Sequence, residues 1–259
     1  MTRVICVIGG KGGVGKTTIT SNLASALADF GQKVIAVDTN LTTPNLGLHF
    51  GVHLAPFTLH DILKGKSKLK DSIYIHPNGV NVLPASMSID DLEGVDVSRL
   101  HEITFSLKGK YDFILLDGAA GLGREAVSGI MAADEILIVT NPDLPSVADA
   151  LKTIKLAERL GKKIIGVVVN RIRGKDYELT KEEVEEMTGY PVIAMIPEDK
   201  NVSKAIFSKT PVVNYSPNSP AALEIKKLAC SLLGIPFVER RVPRGFLLFD
   251  KLIRWALRK

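Results

Sequence analysis

The eight residues from Gly10 to Thr17 constrain the fold more strongly than any other part of the chain. They match the phosphate-binding pattern GxxxxGK[ST]. An apolar, β-branched run, Val4–Gly9, precedes them, and a segment with helical periodicity, Thr17–Phe30, follows. In this setting glycines let backbone N–H groups point at an anion, and the helix N-terminus adds positive potential. The sequence therefore predicts a nucleotide-phosphate loop rather than an ordinary glycine-rich turn.

The polar residues of this loop predict that the cofactors are ATP and Mg²⁺. Lys16 is expected to reach the β- and γ-phosphates, Thr17 to ligate Mg²⁺, and the Thr18 hydroxyl to reach the α-phosphate. The predicted ATP-binding loop consists of Gly10, Lys11, Gly12, Gly13, Val14, Gly15, Lys16, Thr17 and Thr18.

Apolar runs alternate with helix-period segments along the rest of the chain. Near-continuous apolar strands separated by helices predict an α/β fold, with a parallel sheet covered by helices on both faces. Helices are expected at Thr17–Phe30, Arg124–Ala132, Ser146–Leu160 and Lys181–Thr188. The predicted strands are Val4–Gly9, Val34–Asp38, Val80–Pro84, Phe113–Asp117, Glu135–Thr140, Ile164–Asn170 and Val192–Ile196.

Composition argues against several other classes of protein. The two cysteines, Cys6 and Cys230, form no CxxC pair, which disfavours a disulfide framework, a zinc site and a cysteine-bound iron–sulfur cluster. The first apolar run begins almost at Met1 and leads into a loop that must be retained, so a cleavable signal peptide is not expected. No uninterrupted apolar stretch is long enough to span a bilayer. We therefore expect a soluble intracellular protein that is at most bound to a surface.

The positive charge is concentrated at the C-terminus. Residues 239–259 contain seven basic and two acidic residues, a net charge of +5 that equals the value for the whole chain. The remaining 33 − 7 = 26 basic and 28 − 2 = 26 acidic residues leave residues 1–238 formally neutral. A neutral body gives weak support for a nucleic-acid-binding surface, although local patches remain possible.

Two carboxylates end predicted strands. Asp117 follows the apolar run Phe113–Leu116, which is a Walker B arrangement, and Asp38 ends the run that begins at Val34. Carboxylates are ligands that Mg²⁺ prefers, often through bound water. We expect Asp117, Asp38 and Thr17 to form the magnesium site.

With Lys11, the loop resembles the deviant Walker A pattern KGGxGK[ST] of the MinD/ParA ATPase family, which also includes the nitrogenase iron protein. The resemblance implies a homodimer that forms on ATP, in which Lys11 crosses the interface to the partner's ATP. It also implies catalytic tasks for Lys11, Lys16, Asp38, Asn40 and Asp117.

The chain departs from the family pattern at Asn40. The family's switch I is usually written DxD; Asp38 matches its first carboxylate, but Asn40 replaces the second. An amide is not a proton acceptor like a carboxylate, yet a neutral amide side chain orients water in some GTPases. We therefore expect slow ATP hydrolysis, with a simple turn role for Asn40 as the alternative. Residues 118–121, Gly-Ala-Ala-Gly, resemble the family's switch II.

Two strand ends resemble the adenine-contacting segments of MinD-type proteins. One is Asn170, and the other consists of Pro197, Glu198 and Asp199. The Asn170 amide can both donate to and accept from an adenine edge, although an asparagine at a strand end is more often a turn or cap residue. Ligands of open α/β sheets bind outside the carboxyl ends of the strands, which favours the adenine interpretation.

The C-terminal residues predict an amphipathic helix, 246–259, joined by a linker, 239–245, to an ATPase domain, 1–238. Phe246, Phe249 and Leu252 share one face of the helix, opposite Lys251 and Arg254. A helix of this length, about 21 Å, is too short to cross a bilayer but suits an anionic membrane interface. The start of this segment also resembles the membrane-targeting sequence of MinD. Docking of the helix on its own body or on a partner helix is the alternative.

The resemblance extends over essentially the whole chain and implies a MinD-like ATPase. Such a protein would dimerise on ATP and bind an anionic membrane reversibly through two tails, as a spatial switch in cell division or positioning. It would be cytoplasmic, peripheral at the inner face of the cell membrane, with an unidentified activator or cargo protein as partner. A ParA-like partitioning ATPase that binds DNA is the alternative. A carrier scaffold is a third class, which the missing CxxC pair disfavours.

Overall fold

The computed structural model describes residues 2–238. The predicted linker, 239–245, and the predicted amphipathic helix, 246–259, lie outside the described residues. No helix within the described range is both long enough and apolar enough to cross a membrane.

Eight strands and ten α-helices make up the described part of the chain. The strands are β1 (Arg3–Gly9), β2 (Val34–Asp38), β3 (Tyr74–Ile75), β4 (Asn81–Leu83), β5 (Phe113–Ala120), β6 (Glu135–Thr140), β7 (Lys163–Ile172) and β8 (Val192–Pro197). The helices are α1 (Lys16–Asp29), α2 (Leu46–Phe50), α3 (Leu59–Leu63), α4 (Leu100–Leu107), α5 (Arg124–Ala132), α6 (Leu144–Arg159), α7 (Lys181–Thr188), α8 (Lys200–Phe207), α9 (Val212–Tyr215) and α10 (Pro220–Leu233).

The strands form one sheet in the order β3-β4-β2-β5-β1-β6-β7-β8. Every neighbouring pair is parallel except β3 with β4. Side chains of β1 alternate between two cores: Val4 and Cys6 pack under α4, α5 and α6, whereas Ile5 and Val7 pack under α1 and α10. Both faces of the sheet are therefore covered by helices, and the predicted α/β fold class is confirmed.

The largest differences from the predicted strands are at β3 and β5. The edge strand β3, which pairs antiparallel with β4, was not predicted, because two residues are too few to give a periodic signal. The strand predicted to end at Asp117 continues to Ala120, where Ala120 pairs with Gly9 after a register shift. A Cβ atom on Gly118 would lie 2.9 Å from the Val7 carbonyl oxygen, so close packing against β1 requires glycine there.

A buried histidine, His49 on α2, makes stability depend on pH. Burial lowers the pKa of His49 from its ordinary value of 6.5 to about 4, and Nδ1 of the ring lies 3.0 Å from the Ser21 hydroxyl on α1. Between these two values the unfolded chain binds a proton that the native ring does not. His49 therefore stabilises the fold at neutral pH, and this contribution is lost as the pH falls from 6.5 to 4, by up to about 3 kcal/mol.

We expect His49→Gln to weaken the acid sensitivity of the free energy of unfolding. The measurement is urea unfolding at pH 6.5 and pH 4.5, comparing the change with pH rather than the absolute stability. His101→Gln, at an exposed histidine, is the control and should retain the pH dependence of the natural chain. Equal pH dependence in all three proteins would contradict the account.

Candidate functional site

The predicted site residues converge where three neighbouring parallel strands end. The 10–15 loop joins β1 to α1, Asp38 ends β2, and Asp117 lies in β5 between these two strands. Asp38 and Asp117 are register partners across β2 and β5, and Asp117 is also the register partner of Val7 in β1. The sheet topology thus brings the loop and both carboxylates together at its carboxyl-terminal edge.

The loop from Gly10 to Gly15 depends on glycine for two physical reasons. Gly13 and Gly15 have φ angles of 82° and 101°, in the left-handed region that glycine adopts without strain. A Cβ on Gly10 would lie 2.1 Å from the Asp149 carbonyl oxygen, so the loop packs directly on the backbone of α6. Around Gly12 and Gly13 a Cβ would meet nothing within 4 Å. The side of the loop formed by these two residues is open, as a phosphate-binding loop requires.

Gly15→Ala and Gly12→Ala make a matched pair of substitutions in this loop. A Cβ on Gly15 would lie 2.1 Å from Asn170 Nδ2, in a backbone conformation that alanine disfavours, whereas Gly12 has neither obstacle. We expect Gly15→Ala to cost roughly 1–3 kcal/mol of stability and to weaken nucleotide binding. Gly12→Ala should leave the melting temperature nearly unchanged. Thermal unfolding and nucleotide titration measure both effects, and equal melting temperatures for the two variants would contradict the account.

Lys16, the first residue of α1, places a cation inside the loop. Its side chain is nearly buried, and Nζ donates a hydrogen bond to the Lys11 carbonyl oxygen (3.2 Å). Burial lowers the pKa of Lys16, and the negative charge of Asp117 opposes this effect. The Lys11 side chain, by contrast, is exposed. The two lysines therefore differ: one is held within the loop, and the other points out of it.

Asp117 is held by two hydroxyl groups of α1. The Thr17 hydroxyl donates to Oδ2 (2.7 Å), and the Thr20 hydroxyl donates to Oδ1 (3.1 Å). Burial raises the pKa of Asp117 to about 6, against the lowering effects of the Thr17 hydrogen bond and Lys16. Sequence analysis missed Thr20, although it lies one turn of helix beyond the loop, on the same face as Lys16.

Asp38 organises the loop that follows β2. It is fully buried, and its carboxylate accepts hydrogen bonds from the backbone N–H groups of Asn40 (3.2 Å), Asn45 (3.1 Å) and Leu46 (2.9 Å). Burial raises the pKa of Asp38, the charge of Asp117 adds to this, and the three backbone hydrogen bonds oppose it. Asp38 thus ties the two ends of this loop to the end of β2.

Asn40 lies in the same loop, and its side chain bonds within it. The amide donates to the Thr43 carbonyl oxygen (2.6 Å), and Oδ1 accepts from the Thr43 hydroxyl (3.1 Å). The loop is also joined to α5 by Glu125, whose carboxylate accepts from the backbone N–H groups of Leu41 (2.9 Å) and Thr42 (3.2 Å). Sequence analysis missed Glu125, because nothing in the chain pattern relates residues 84 positions apart.

The residues predicted to contact adenine lie near the ends of the neighbouring strands β7 and β8 and make different contacts. Asn170 is buried beneath the phosphate loop, where its amide donates to the Val14 carbonyl oxygen (2.8 Å). Asp199 caps α8 by accepting from the Asn201 backbone N–H (2.8 Å) and is buried. Pro197 ends β8, and Glu198 is exposed. Asn170 therefore supports the loop, Asp199 has a capping role, and an adenine contact remains a prediction for all four.

Comparison with known proteins identifies the family. Residues 5–212 match the CobQ/CobB/MinD/ParA nucleotide-binding domain. The chain belongs to this family. An ATP-binding protein of Methanocaldococcus jannaschii is 40% identical over 237 residues, which is 92% of this chain and 90% of that protein. Membership makes the chain a MinD/ParA-family ATPase that uses ATP and Mg²⁺.

Solved structures in the family share the fold. The septum site-determining protein MinD of Pyrococcus horikoshii, complexed with Mg-ADP, is 39% identical to this chain, with a TM-score of 0.87. The match covers 90% of this chain and 96% of the MinD chain. One chain of a MinC:MinD cell division protein complex of Aquifex aeolicus is 30% identical to this chain, with a TM-score of 0.82. The match covers 93% of this chain and 99% of that chain. The P-loop NTPase fold extends over nearly the full length of both.

The side chains of this chain fit Mg-ATP. The open face around Gly12 and Gly13 leaves room for phosphates. Lys16 supplies a buried cation beside that face, and burial already disfavours its charge, which an anionic ligand would stabilise. The Thr17 hydroxyl and the Asp117 carboxylate lie within hydrogen-bonding distance of each other and are oxygen donors of the kind that Mg²⁺ prefers.

Proposed function

We propose that the chain is a MinD-like ATP-driven switch that dimerises on ATP and then binds an anionic membrane. The proposal rests on the different exposure of the two loop lysines, Lys11 and Lys16. Lys16 is nearly buried beside Asp117, whereas Lys11 is exposed at the rim of the same loop. An exposed cation next to the phosphate site is available to a nucleotide held by a second copy of the chain.

The proposed assignments follow the chemistry of the donors. Thr17 and Asp117 would hold Mg²⁺, Asp38 would bind its water shell, and Lys16 would bind the terminal phosphates. Bound Mg²⁺ neutralises charge on the phosphate oxygens. Asn40 orients water once its amide exchanges the hydrogen bond to the Thr43 carbonyl oxygen. Hydrolysis is therefore slow but measurable; Mg-ATP that stayed intact for many hours with the folded dimer would contradict this assignment.

The membrane step rests on the basic C-terminus. Residues 239–259 carry a net charge of +5, and apolar side chains share one face of a helix predicted at 246–259. One such helix binds weakly, and two in a dimer gain avidity. Two relatives are described as a septum site-determining protein and as part of a cell division complex with MinC. These descriptions support a positioning function in cell division and a protein partner.

Sedimentation with phosphatidylglycerol vesicles tests this function. We expect the chain to pellet with vesicles in ATP and to remain in the supernatant in ADP. Fluorescence of Trp255, the only tryptophan, should shift to the blue on binding. Phe249→Glu should abolish pelleting without changing ATP hydrolysis. Failure to pellet in either nucleotide, with a salt-sensitive shift of duplex DNA, would replace the membrane function with the ParA-like one.

A further inference from the structure

An apolar groove lies at the edge of the sheet far from the nucleotide site. Its walls include Leu69, Ile73 and Ile75, its rim carries Lys68, Lys70 and Lys110, and its volume is about 550 Å³. This lysine-rimmed groove lies at the amino-terminal ends of β4 and β5, since Asn81 begins β4 and Lys110 precedes β5. Asp117 lies near the other end of β5, so the groove is separate from the site already described.

The groove lies beside the edge of the sheet formed by β3 and includes an exposed apolar side chain of that strand. β3 is the last strand of the sheet, and β4 is its only strand partner within residues 2–238. Ile75 of β3 is 77% exposed. Sheet edges with exposed apolar side chains are where extended peptides add as a further strand. A concavity of this volume is also within the range of ligand-binding clefts and can receive apolar side chains.

The charged side chains that line the groove are all positive. The residues that line it include three lysines and no acidic residue. Two nearby lysines differ in being paired, Lys64 with Asp91 (3.2 Å) and Lys108 with Asp134 (2.8 Å). Among the ion pairs of residues 2–238, none involves Lys68, Lys70 or Lys110. Since residues 1–238 are formally neutral, this is a local concentration of positive charge.

From this combination we propose that the lysine-rimmed groove binds an acidic segment of a partner protein that carries apolar side chains between its carboxylates. The carboxylates would meet the three lysines, and the apolar side chains would enter the groove. The chain's own C-terminal residues do not fit, because they carry a net charge of +5 and would be repelled by the rim. A concave apolar floor also suits inserted side chains better than a flat lipid surface or a phosphate backbone.

Charge reversal in the full chain tests the proposal. The probe is a fluorescein-labelled ten-residue peptide in which glutamate alternates with leucine, and binding is measured by fluorescence anisotropy. We expect saturable binding that Lys68→Glu/Lys70→Glu weakens by about tenfold or more, because two attractions become repulsions. Lys175→Glu/Lys204→Glu is the matched control at two other exposed lysines and should bind like the natural chain. Both double variants should retain their melting temperature and ATP hydrolysis.

A second readout separates the groove from the basic C-terminus, which could also attract the peptide. A version of the peptide with a photo-crosslinking group should attach within residues 66–81 or 107–111, as mapped by mass spectrometry. Attachment confined to 239–259, equal affinities for the two double variants, or no saturable binding would overturn the proposal. Tighter binding of duplex DNA or anionic vesicles that is lost in Lys68→Glu/Lys70→Glu would also overturn it and assign the groove to that ligand. Neither readout depends on the proposed membrane switch.

Discussion

Lys16→Ala is expected to reduce ATP hydrolysis by roughly a hundred- to a thousandfold, the effect of removing one preorganised donor from a charged transition state. ATP affinity should fall as well, since Lys16 is the nearly buried cation of the loop. The melting temperature of the nucleotide-free protein should not fall, because burial already disfavours the charge of Lys16. Steady-state phosphate release and thermal unfolding measure the two effects.

The matched control for Lys16→Ala is Lys33→Ala, at an exposed lysine before β2, which should retain full activity. Hydrolysis by Lys16→Ala within a few-fold of the natural chain would refute the assignment of Lys16 to the phosphates. A large drop in the melting temperature would instead mean that Lys16 supports the fold.

Asp117→Asn is the second substitution with a large expected effect. The amide keeps the size of the side chain but removes the negative charge that Mg²⁺ requires, so Mg²⁺-dependent hydrolysis should fall by roughly a hundredfold or more. Thr17 and Thr20 donate to different oxygens of Asp117. In asparagine one hydroxyl can still donate to the amide oxygen and the other can accept from the amide NH2 group, so the fold should persist. The measurement is phosphate release as a function of Mg²⁺ concentration.

Asp112→Asn, next to the start of β5, provides the comparison for Asp117→Asn. Asp112 lies just before β5, is exposed, and accepts a hydrogen bond from the Lys33 backbone N–H (2.8 Å). Its substitution should leave the Mg²⁺ dependence unchanged. If Asp117→Asn also hydrolysed ATP with the Mg²⁺ dependence of the natural chain, Asp117 would not be the metal carboxylate.

The placement of the phosphate loop and the two carboxylates could be predicted because these parts are local or lie at strand ends. The loop from Gly10 to Thr17 is a continuous motif, and its strand–loop–helix setting is confirmed. Asp38 and Asp117 end apolar runs, and parallel strands bring such ends to one edge of the sheet. These inferences need only the order of elements, which the alternation of apolar and helical segments supplies.

The remaining features depend on contacts that no local pattern encodes. The hydrogen bond from Thr20 to Asp117 joins residues 97 positions apart, and Asn170 reaches Val14 across 156 positions. The first contact depends on how α1 packs on the sheet, and the second depends on the position of β7 within it. Likewise β3 is defined by its pairing with β4, and its two residues are too few to show a strand periodicity in the sequence.

The oligomeric mass in ATP and in ADP shows whether ATP drives dimerisation of this protein. Light scattering on the full chain with Mg²⁺ should give the mass of two chains in ATP and of one chain in ADP. Lys11→Ala should bind ATP yet remain a single chain, because Lys11 is exposed and is proposed to act on the partner's nucleotide. A single chain in both nucleotides, or an ATP dimer that persists in Lys11→Ala, would contradict the account of this protein as an ATP-driven dimer switch.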